Sequence, residues 1–245
     1  MAIRAMLFDL DNTLYPASSG LMQSIDQRIG EFVQRSLGLS EEESLRLRRG
    51  YYAEFGTTLR GLRRHHDGIE PEHYLQYVHD IALDAFLASD ARLDRLLGAL
   101  HVRKVIFTNS PREYAERVLK TLGIAHHFER IFDLRFFDFA CKPEPTCYEL
   151  VLQELGIAGH EAMLLEDTAQ NLPPAVALGM TTILIDEQER PNPVAGYVVP
   201  DIVAAVEIAR QLIAPAETPR KNGREPRTIT GPRRRSPRSN GPTSA

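Results

Sequence analysis

The sequence predicts an α/β fold, a doubly wound parallel sheet with an α-helical segment inserted after the first strand. Short apolar runs alternate with helical patterns over most of the chain, which is typical of parallel strands joined by right-handed crossover helices. Residues 16–99 differ, because they show helical periodicity and no convincing strand. The chain has 245 residues, 43% of them hydrophobic, which is enough for a substantial core with such an insertion.

The first strand is predicted at Ala5–Phe8, a short apolar run that ends at an acidic residue. Helices are predicted to follow it. Apolar residues recur at helical spacing in Leu21–Val33, and Ser40–Glu43 has the Ser-x-x-Glu pattern of a capping box that begins another helix. The periodicity continues through residues 74–97.

These patterns predict a helical cap, which in other enzymes closes over the strand ends and excludes water. An ordinary helical subdomain without such motion is the alternative. The expected division is a core of residues 1–15 and 100–214, a cap of residues 16–99, and a tail of residues 215–245.

Three further strands are predicted after the insertion, each rich in Val, Ile, Leu or Phe: Lys104–Thr108, Ala162–Leu165 and Thr181–Ile185. Three helices are predicted among them, each ending near a glycine: Arg112–Leu122, Thr146–Leu155 and Asn171–Leu178. Ser110 and Pro111 are expected to occupy the N-cap and first position of the first of these helices. Ligands of such sheets bind at the carboxyl ends of the strands, so residues just after each strand are candidate site residues.

The tail differs from the rest of the chain in charge. The whole chain has a net charge of -4, yet residues 215–245 contain eight Lys or Arg and only two Glu. The tail is rich in Pro, Gly, Ser and Arg, so we expect it to be disordered and at most weakly attached to nucleic acid. Cys141 and Cys147 are interpreted as reduced and not bound to metal. No run approaches the roughly 18 apolar residues of a membrane span, so we expect no membrane association and a cytoplasmic location.

Two carboxylates follow the first strand, at Asp9 and Asp11. Side chains two residues apart on an extended chain point to the same side, so both acids can face one site. Asp9 is the candidate nucleophile, which would attack phosphorus, and Asp11 is the candidate general acid and base. The alternative is a solvated acidic turn.

Thr108 and Asn109 follow the second strand, where a phosphate would meet a hydroxyl and the free N–H groups of a helix start. The alternative is that both side chains only satisfy the turn. Lys142 precedes a proline in a loop and can neutralise phosphate oxygens. Glu166 and Asp167 follow the third strand, and with Asp9 they form an oxygen-ligand set suited to Mg²⁺. Asp167 is expected to bind the metal directly, and Glu166 directly or through water.

The four motifs, in this order and with a helical insertion after the first strand, resemble the haloacid dehalogenase superfamily of phosphatases over residues 2–214. The motifs are Asp9-Leu10-Asp11-Asn12-Thr13, Phe107-Thr108-Asn109, Cys141-Lys142-Pro143 and Leu165-Glu166-Asp167. The resemblance implies a Rossmann-like core with an α-helical cap. It also implies phosphate binding by Thr108, Lys142 and Asn109, and Mg²⁺ binding by Asp9, Asp167 and the main-chain oxygen of Asp11.

A finer resemblance is to pyrimidine 5'-nucleotidases, through residues 9–16 and the cap stretch 51–62. It implies hydrolysis of UMP or CMP, with Thr58 and Arg60 contacting the base or the sugar. Tyr51, Tyr52 and Phe55 would stack on the base or else pack within the cap. Glu166 departs from the aspartate that this subgroup often shows.

Two alternatives to a nucleotidase stay open at this point. The first is another phosphatase or a mutase of the same superfamily, acting on a sugar phosphate or another small phosphorylated metabolite. The second is a binding protein without catalysis that keeps the phosphate pocket and uses its basic tail on nucleic acid. The complete set of Asp9, Asp11, Lys142 and Asp167 counts against the second, because a binding protein does not need a nucleophile and an acid/base together.

Overall fold

The structure of the chain, a computed structural model, describes residues 2–213. The predicted basic tail of residues 215–245 lies outside the described residues. Among the helices that are described, none is both long and apolar enough to cross a membrane.

Six parallel strands form one sheet in the order β3-β2-β1-β4-β5-β6. The strands are β1 (Ala5–Phe8), β2 (Arg103–Phe107), β3 (Arg130–Phe132), β4 (Ala162–Glu166), β5 (Thr181–Ile185) and β6 (Tyr197–Val199). Phe8 at the end of β1 pairs with Ile106 of β2 and Leu165 of β4. This register brings the carboxyl ends of the three central strands to one edge, and it confirms the predicted α/β fold.

Five helices lie between β1 and β2: α1 (Leu21–Leu37), α2 (Glu41–Phe55), α3 (Thr58–His65), α4 (Pro71–His79) and α5 (Ala91–Gly98). Four more helices follow β2 in the described part of the chain: α6 (Arg112–Leu122), α7 (Pro145–Leu155), α8 (Leu172–Ala177) and α9 (Ile202–Ile213). The predicted capping box of α2 is present, because the Ser40 hydroxyl accepts from Glu43 N–H and the Glu43 carboxylate accepts from Ser40 N–H.

Alternate residues of the strands pack on opposite faces of the sheet. Met6 and Phe8 lie in a core with α5, α6 and α9, whereas Ala5 and Leu7 lie in a core with α7 and α8. A third cluster holds the insertion together and includes Phe32, Leu62 and Tyr74.

The last helix of the insertion, α5, packs against α9 beside the sheet. Leu93 and Leu97 of α5 are fully buried in the same cluster as Ala205 and Val206 of α9. The division into core and cap at residue 99 therefore stays a prediction, since α5 lies within the predicted cap and contacts the predicted core.

The bounds of α6 are as predicted, but the residue that caps the helix differs from the expectation. Ser110 does not cap the helix: Pro111 is the N-cap residue, and the helix begins at Arg112. The Arg112 N–H instead donates to Asp133 Oδ2 at 3.1 Å, from the turn after β3. Ser110 donates its hydroxyl to Asp11, so a tertiary partner has replaced the local cap.

Replacing Asp133 with alanine is expected to lower the free energy of unfolding by about 1–3 kcal/mol. The Asp133 carboxylate is buried, and its loss removes the acceptor of the Arg112 N–H at the start of α6 and one of the two acceptors of the Phe136 N–H. Urea unfolding monitored by circular dichroism measures the change. Asp133→Asn, which keeps one acceptor oxygen, should retain most of the stability, and an equal loss in both variants would contradict the capping role.

Candidate active site

One cavity of about 520 Å³ opens at the carboxyl edge of the central strands, between the sheet and the inserted helices. Its wall contains all nine residues predicted for catalysis and for binding phosphate, metal and substrate polar groups: Asp9, Asp11, Thr58, Arg60, Thr108, Asn109, Lys142, Glu166 and Asp167. The four motifs and the two cap residues therefore lie together, although they come from segments far apart in the chain.

A buried lysine joins the first and last motifs. Lys142 Nζ donates to Asp9 Oδ1 at 2.7 Å and to Glu166 Oε2 at 2.6 Å, and its side chain is 1% exposed. Asp9 also accepts from the Thr13 hydroxyl at 3.2 Å, and the other Glu166 oxygen accepts from Thr168 N–H at 3.2 Å. Lys142 is thus held in a single position by two carboxylates from neighbouring strands.

Negative charge exceeds positive charge around this lysine. Burial raises the pKa of Asp9 to about 7, and the charge of Glu166 adds to the increase while Lys142 opposes it. Burial likewise raises the pKa of Glu166, and burial together with Asp9 raises that of Asp167 to about 6. For Lys142, burial disfavours the ammonium, but the Asp9 and Glu166 carboxylates outweigh it and raise its pKa. Two buried acids and a half-buried one against a single ammonium favour a further cation.

The same three acids fit a hard divalent cation. Asp9, Glu166 and Asp167 each offer one carboxylate oxygen, and these atoms lie within 4.8 Å of one another. Asn12 donates its amide Nδ2 to Asp167 Oδ2 at 3.3 Å, while its buried Oδ1 has no hydrogen-bond partner among the described residues. Oxygen ligands with room for water are what Mg²⁺ prefers, and a water ligand would supply the donor that Asn12 lacks.

Asp11 points away from the lysine into a group of hydroxyls. Its Oδ1 accepts from Tyr15 at 2.5 Å and from Tyr114 at 2.8 Å, and its Oδ2 accepts from Ser110 at 2.6 Å. Tyr114 is also packed against the ring of His79, at the end of α4, with 4.6 Å between centroids. Asp9 and Asp11 therefore have separate surroundings, one cationic and one hydroxylic.

Sequence reasoning missed the two tyrosines that donate hydrogen bonds to Asp11. Tyr15 lies in the run after β1, four residues beyond Asp11, the last residue of that run to which a role was given. Tyr114 had no local signal, because its partner Asp11 is 103 residues away in sequence.

The side chain of Asn109 positions the loop that carries Lys142, called here the lysine loop. Its Nδ2 donates to the Lys142 carbonyl at 3.1 Å, and its Oδ1 accepts from Lys142 N–H at 2.8 Å. Thr108 is 1% exposed, and its hydroxyl accepts from Ser110 N–H at 3.0 Å while bordering the cavity. Phosphate binding by these two residues stays a prediction. For Asn109 the contact would have to come from its main-chain N–H, because both polar atoms of its side-chain amide are bonded to Lys142.

The insertion contacts the lysine loop through the turn that follows α2. Gly56 has φ 83°, and a Cβ there would lie 2.9 Å from the Lys142 carbonyl oxygen, so only glycine allows this approach. Cys141 donates its buried thiol to the Phe55 carbonyl at 3.3 Å, and burial raises the thiol pKa, in keeping with a packing role. Arg60 forms an ion pair with Glu144 of the core, so it serves as a bridge as well as part of the cavity wall.

Of the three aromatic residues considered for stacking on a base, Tyr52 alone borders the cavity. Tyr52 as a whole is 47% exposed, and partial burial together with the charge of Asp167 raises the pKa of its phenol. Tyr51 stacks on His65, with the ring planes 8° apart, and Phe55 packs against both. Tyr51 and Phe55 therefore pack within the insertion.

The far end of the cavity lies among α1, α2 and α4. Ile25, Ile29 and Val78 make part of its wall apolar. Arg48 and Asp26 supply an ion pair there, with 2.5 Å between Nη1 and Oδ1. A ligand that reaches from the motif residues to this end meets both apolar and charged surface.

Known proteins resemble this chain in sequence and in fold. The model of the haloacid dehalogenase-like hydrolases matches residues 3–179. Phosphate metabolism protein 8 of Saccharomyces cerevisiae is 29% identical over 197 residues, which are 75% of this chain and 61% of that protein. The phosphoglycolate phosphatase of Pectobacterium atrosepticum is 29% identical over 198 residues, 74% of this chain and 80% of that enzyme.

Among solved structures, a haloacid dehalogenase-type phosphatase from Thermococcus onnurineus superposes with a TM-score of 0.58. It covers 84% of this chain and 98% of its own length at 20% sequence identity, which supports the fold. The family match confirms the predicted superfamily, whereas the nucleotidase subgroup stays a prediction.

Replacing Lys142 with methionine is expected to lower the free energy of unfolding by about 3–5 kcal/mol, because Asp9 and Glu166 would face each other without their shared cation. Adding Glu166→Gln to that variant should restore part of the loss by removing one of the stranded charges. Urea unfolding of the wild type, both single variants and the double variant at one pH measures the coupling. Strictly additive losses would contradict the shared role of this lysine.

Proposed function

The chain belongs to the haloacid dehalogenase-like hydrolase family, and within it we propose a Mg²⁺-dependent phosphomonoester hydrolase that works through an aspartyl phosphate. One observation carries the proposal: Asp9 and Asp11, two residues apart, have different partners. Asp9 lies against Lys142 and the other acids, which suits a nucleophile facing an anionic phosphate. Asp11 lies among hydroxyls, which suits proton transfer.

In the first step, a carboxylate oxygen of Asp9 attacks phosphorus and the bond from phosphorus to the ester oxygen breaks. Asp11 gives its proton to that departing oxygen, and the alcohol leaves. In the second step, water attacks the aspartyl phosphate, Asp11 takes the proton of the water, and inorganic phosphate is released from Asp9. Lys142 and the Thr108 hydroxyl would bind the phosphate oxygens during both steps.

The proposed Mg²⁺ ligands are Asp9, Asp167 and the main-chain oxygen of Asp11. When bound, the ion would supply the positive charge that offsets repulsion between Asp9 and an anionic substrate. Both Glu166 oxygens already accept from protein donors, so we assign Glu166 to holding Lys142, with any contact to the metal passing through water.

The presence of Asp11 favours phosphatase over dehalogenase chemistry. A halide leaves without a proton, so a dehalogenase has no need of a second carboxylate beside its nucleophile. An alkoxide leaving group does need a proton, and here the second carboxylate is held by three hydroxyl groups.

For the substrate, we propose a pyrimidine nucleoside monophosphate such as UMP or CMP. The resemblance of residues 51–62 to nucleotidase caps and the exposed ring of Tyr52 in the cavity support it. Thr58 and Arg60 border the same cavity and are the proposed contacts to base or sugar. The protein would act in the cytoplasm, where this substrate is found.

A second candidate is a phosphatase or mutase for a small phosphorylated metabolite. The relative from Pectobacterium atrosepticum is a phosphoglycolate phosphatase, and Arg48 places a guanidinium in the cavity wall, where a second anionic group would be accommodated. A binding protein with a nucleic-acid-binding tail is the third reading, and it leaves the nucleophile and acid without purpose.

Phosphate release from UMP, CMP, AMP, GMP, glucose 6-phosphate, phosphoglycolate and an aryl phosphate, with and without Mg²⁺, tests the proposal. We expect Mg²⁺-dependent turnover that is highest for UMP and CMP and that Asp9→Asn reduces by at least about 10³-fold, because no nucleophile is left. A preference for phosphoglycolate or a sugar phosphate would favour the second candidate. Absence of turnover on every ester would refute the hydrolase.

Tyr114→Phe should slow hydrolysis of an alkyl phosphate by about tenfold or more. The Asp11 carboxylate would lose one of the hydrogen bonds that orient it toward the leaving group. An aryl phosphate should be affected far less, since its leaving group needs little help from an acid. The readout is kcat/KM on both esters. Tyr77→Phe is the matched control, because its hydroxyl binds Glu31 on the insertion. Equal losses on both esters would indicate a purely structural role.

A further inference from the structure

A second set of metal-ligating side chains lies at the amino edge of the sheet, opposite the cavity. Asp94 is on α5, one turn before the chain returns toward the start of β2. His126 and His127 form part of the turn between α6 and the start of β3. Two segments that are distant in sequence therefore bring a carboxylate and two imidazoles together.

The three side chains converge on one point. His127 Nε2 lies 2.7 Å and His126 Nε2 lies 3.1 Å from the same oxygen, Asp94 Oδ1. All three candidate ligand atoms are within 4.8 Å of one another, and the two imidazole centroids are 4.0 Å apart. Metal bonds of about 2.1 Å, at angles between about 90° and 109°, separate neighbouring ligand atoms by about 3.0–3.4 Å. The two N–O separations lie within or about 0.3 Å below this range, and the separation of the two nitrogens is at most 4.8 Å, so a small movement of one imidazole would complete the geometry.

We propose that Asp94, His126 and His127 bind a divalent transition-metal ion of the Zn²⁺ class, with water completing the coordination. Two imidazoles and one carboxylate suit Zn²⁺, Co²⁺, Ni²⁺ or Cu²⁺ and not Mg²⁺, which prefers oxygen ligands. This site is independent of the proposed hydrolase, because its ligands lie at the other edge of the sheet.

The chemistry of the three atoms suits a shared metal ion. Each of them can donate a lone pair to one cation, and the negative charge of the Asp94 carboxylate would attract a dication.

The exposure of the ligands suits a site that is partly formed in advance and open on one side. The His127 side chain is 11% exposed, and its ring lies against Gly98, where a Cβ would be 3.4 Å from Cε1. The His126 side chain is 65% exposed and Asp94 is 39% exposed, so the ion and its waters have access. A bound ion would link α5 to the turn before β3, beside residues 99–102, which carry the chain from the insertion back to β2.

Calorimetric titration of the metal-free, full-length, tag-free protein with Zn²⁺ tests the site, with Mg²⁺ present in excess to occupy oxygen-only sites. We expect one saturable equivalent of Zn²⁺ in the wild type. His126→Ala and Asp94→Asn should weaken its binding by more than about tenfold, since losing even an outer partner of a metal ligand costs on the order of ten- to a hundredfold. His160→Ala, which removes another exposed histidine, is the matched control and should bind as the wild type does.

Co²⁺ gives a second readout that does not depend on enzyme activity. Visible absorption of bound Co²⁺ should appear in the wild type and in Asp167→Asn, and disappear in His126→Ala. His126 is largely exposed, so its replacement should leave the fold intact, and circular dichroism checks this. Identical Zn²⁺ stoichiometry and affinity in the wild type and in His126→Ala would overturn the proposal, as would loss of the Co²⁺ signal in Asp167→Asn alone.

Discussion

The buried contact of Lys142 with Asp9 and Glu166 is the constraint on which the site depends. An ammonium and two carboxylates removed from water are stable only when their geometry is good, so three separate segments must be placed to within a few tenths of an ångström. The parallel register of β1 and β4 places the two acids, since the Asp9 N–H donates to the Leu165 carbonyl at 2.9 Å. The side-chain amide of Asn109 places the lysine by holding both polar groups of its backbone. The rest of the site is arranged around an anchor that tolerates little movement.

Much of this arrangement was predictable from sequence, because parallel strands align their carboxyl ends and motifs just beyond them must meet. The bounds of β1, β5 and α6 agree with the prediction, and all nine predicted site residues border one cavity. The three-residue strands β3 and β6 were missed, since so short a run carries no periodicity. Ser110 shows a different limit: its local pattern fits a helix cap, yet its hydroxyl bonds to Asp11, 99 residues away. A single sequence does not reveal whether a hydroxyl will bond to a nearby helix end or to a side chain that is distant in sequence.

The two groups of potential metal ligands show how the fold separates chemistries. At the carboxyl edge of the sheet the ligands are all oxygens, buried or half-buried and close together, with one ammonium among them. At the amino edge two nitrogens join one oxygen, and the group is half open to solvent. Hard and borderline cations sort between such sets by ligand type and by geometry, so the two edges need not compete for the same ion.

The three hydroxyls that donate to Asp11 bear on how proteins of this architecture diversify. Tyr15 lies in the segment that leaves β1 for the insertion, and Tyr114 packs against His79, which ends α4. The insertion is thus part of the surroundings of a residue that belongs to the sheet. Exchanging the inserted helices for those of another protein would therefore alter the orientation of Asp11 along with the choice of ligand. A new insertion joined to the ends of β1 and β2 would therefore need accompanying changes in the first turn of α6. Without them, Asp11 of the chimera would be held in a different orientation.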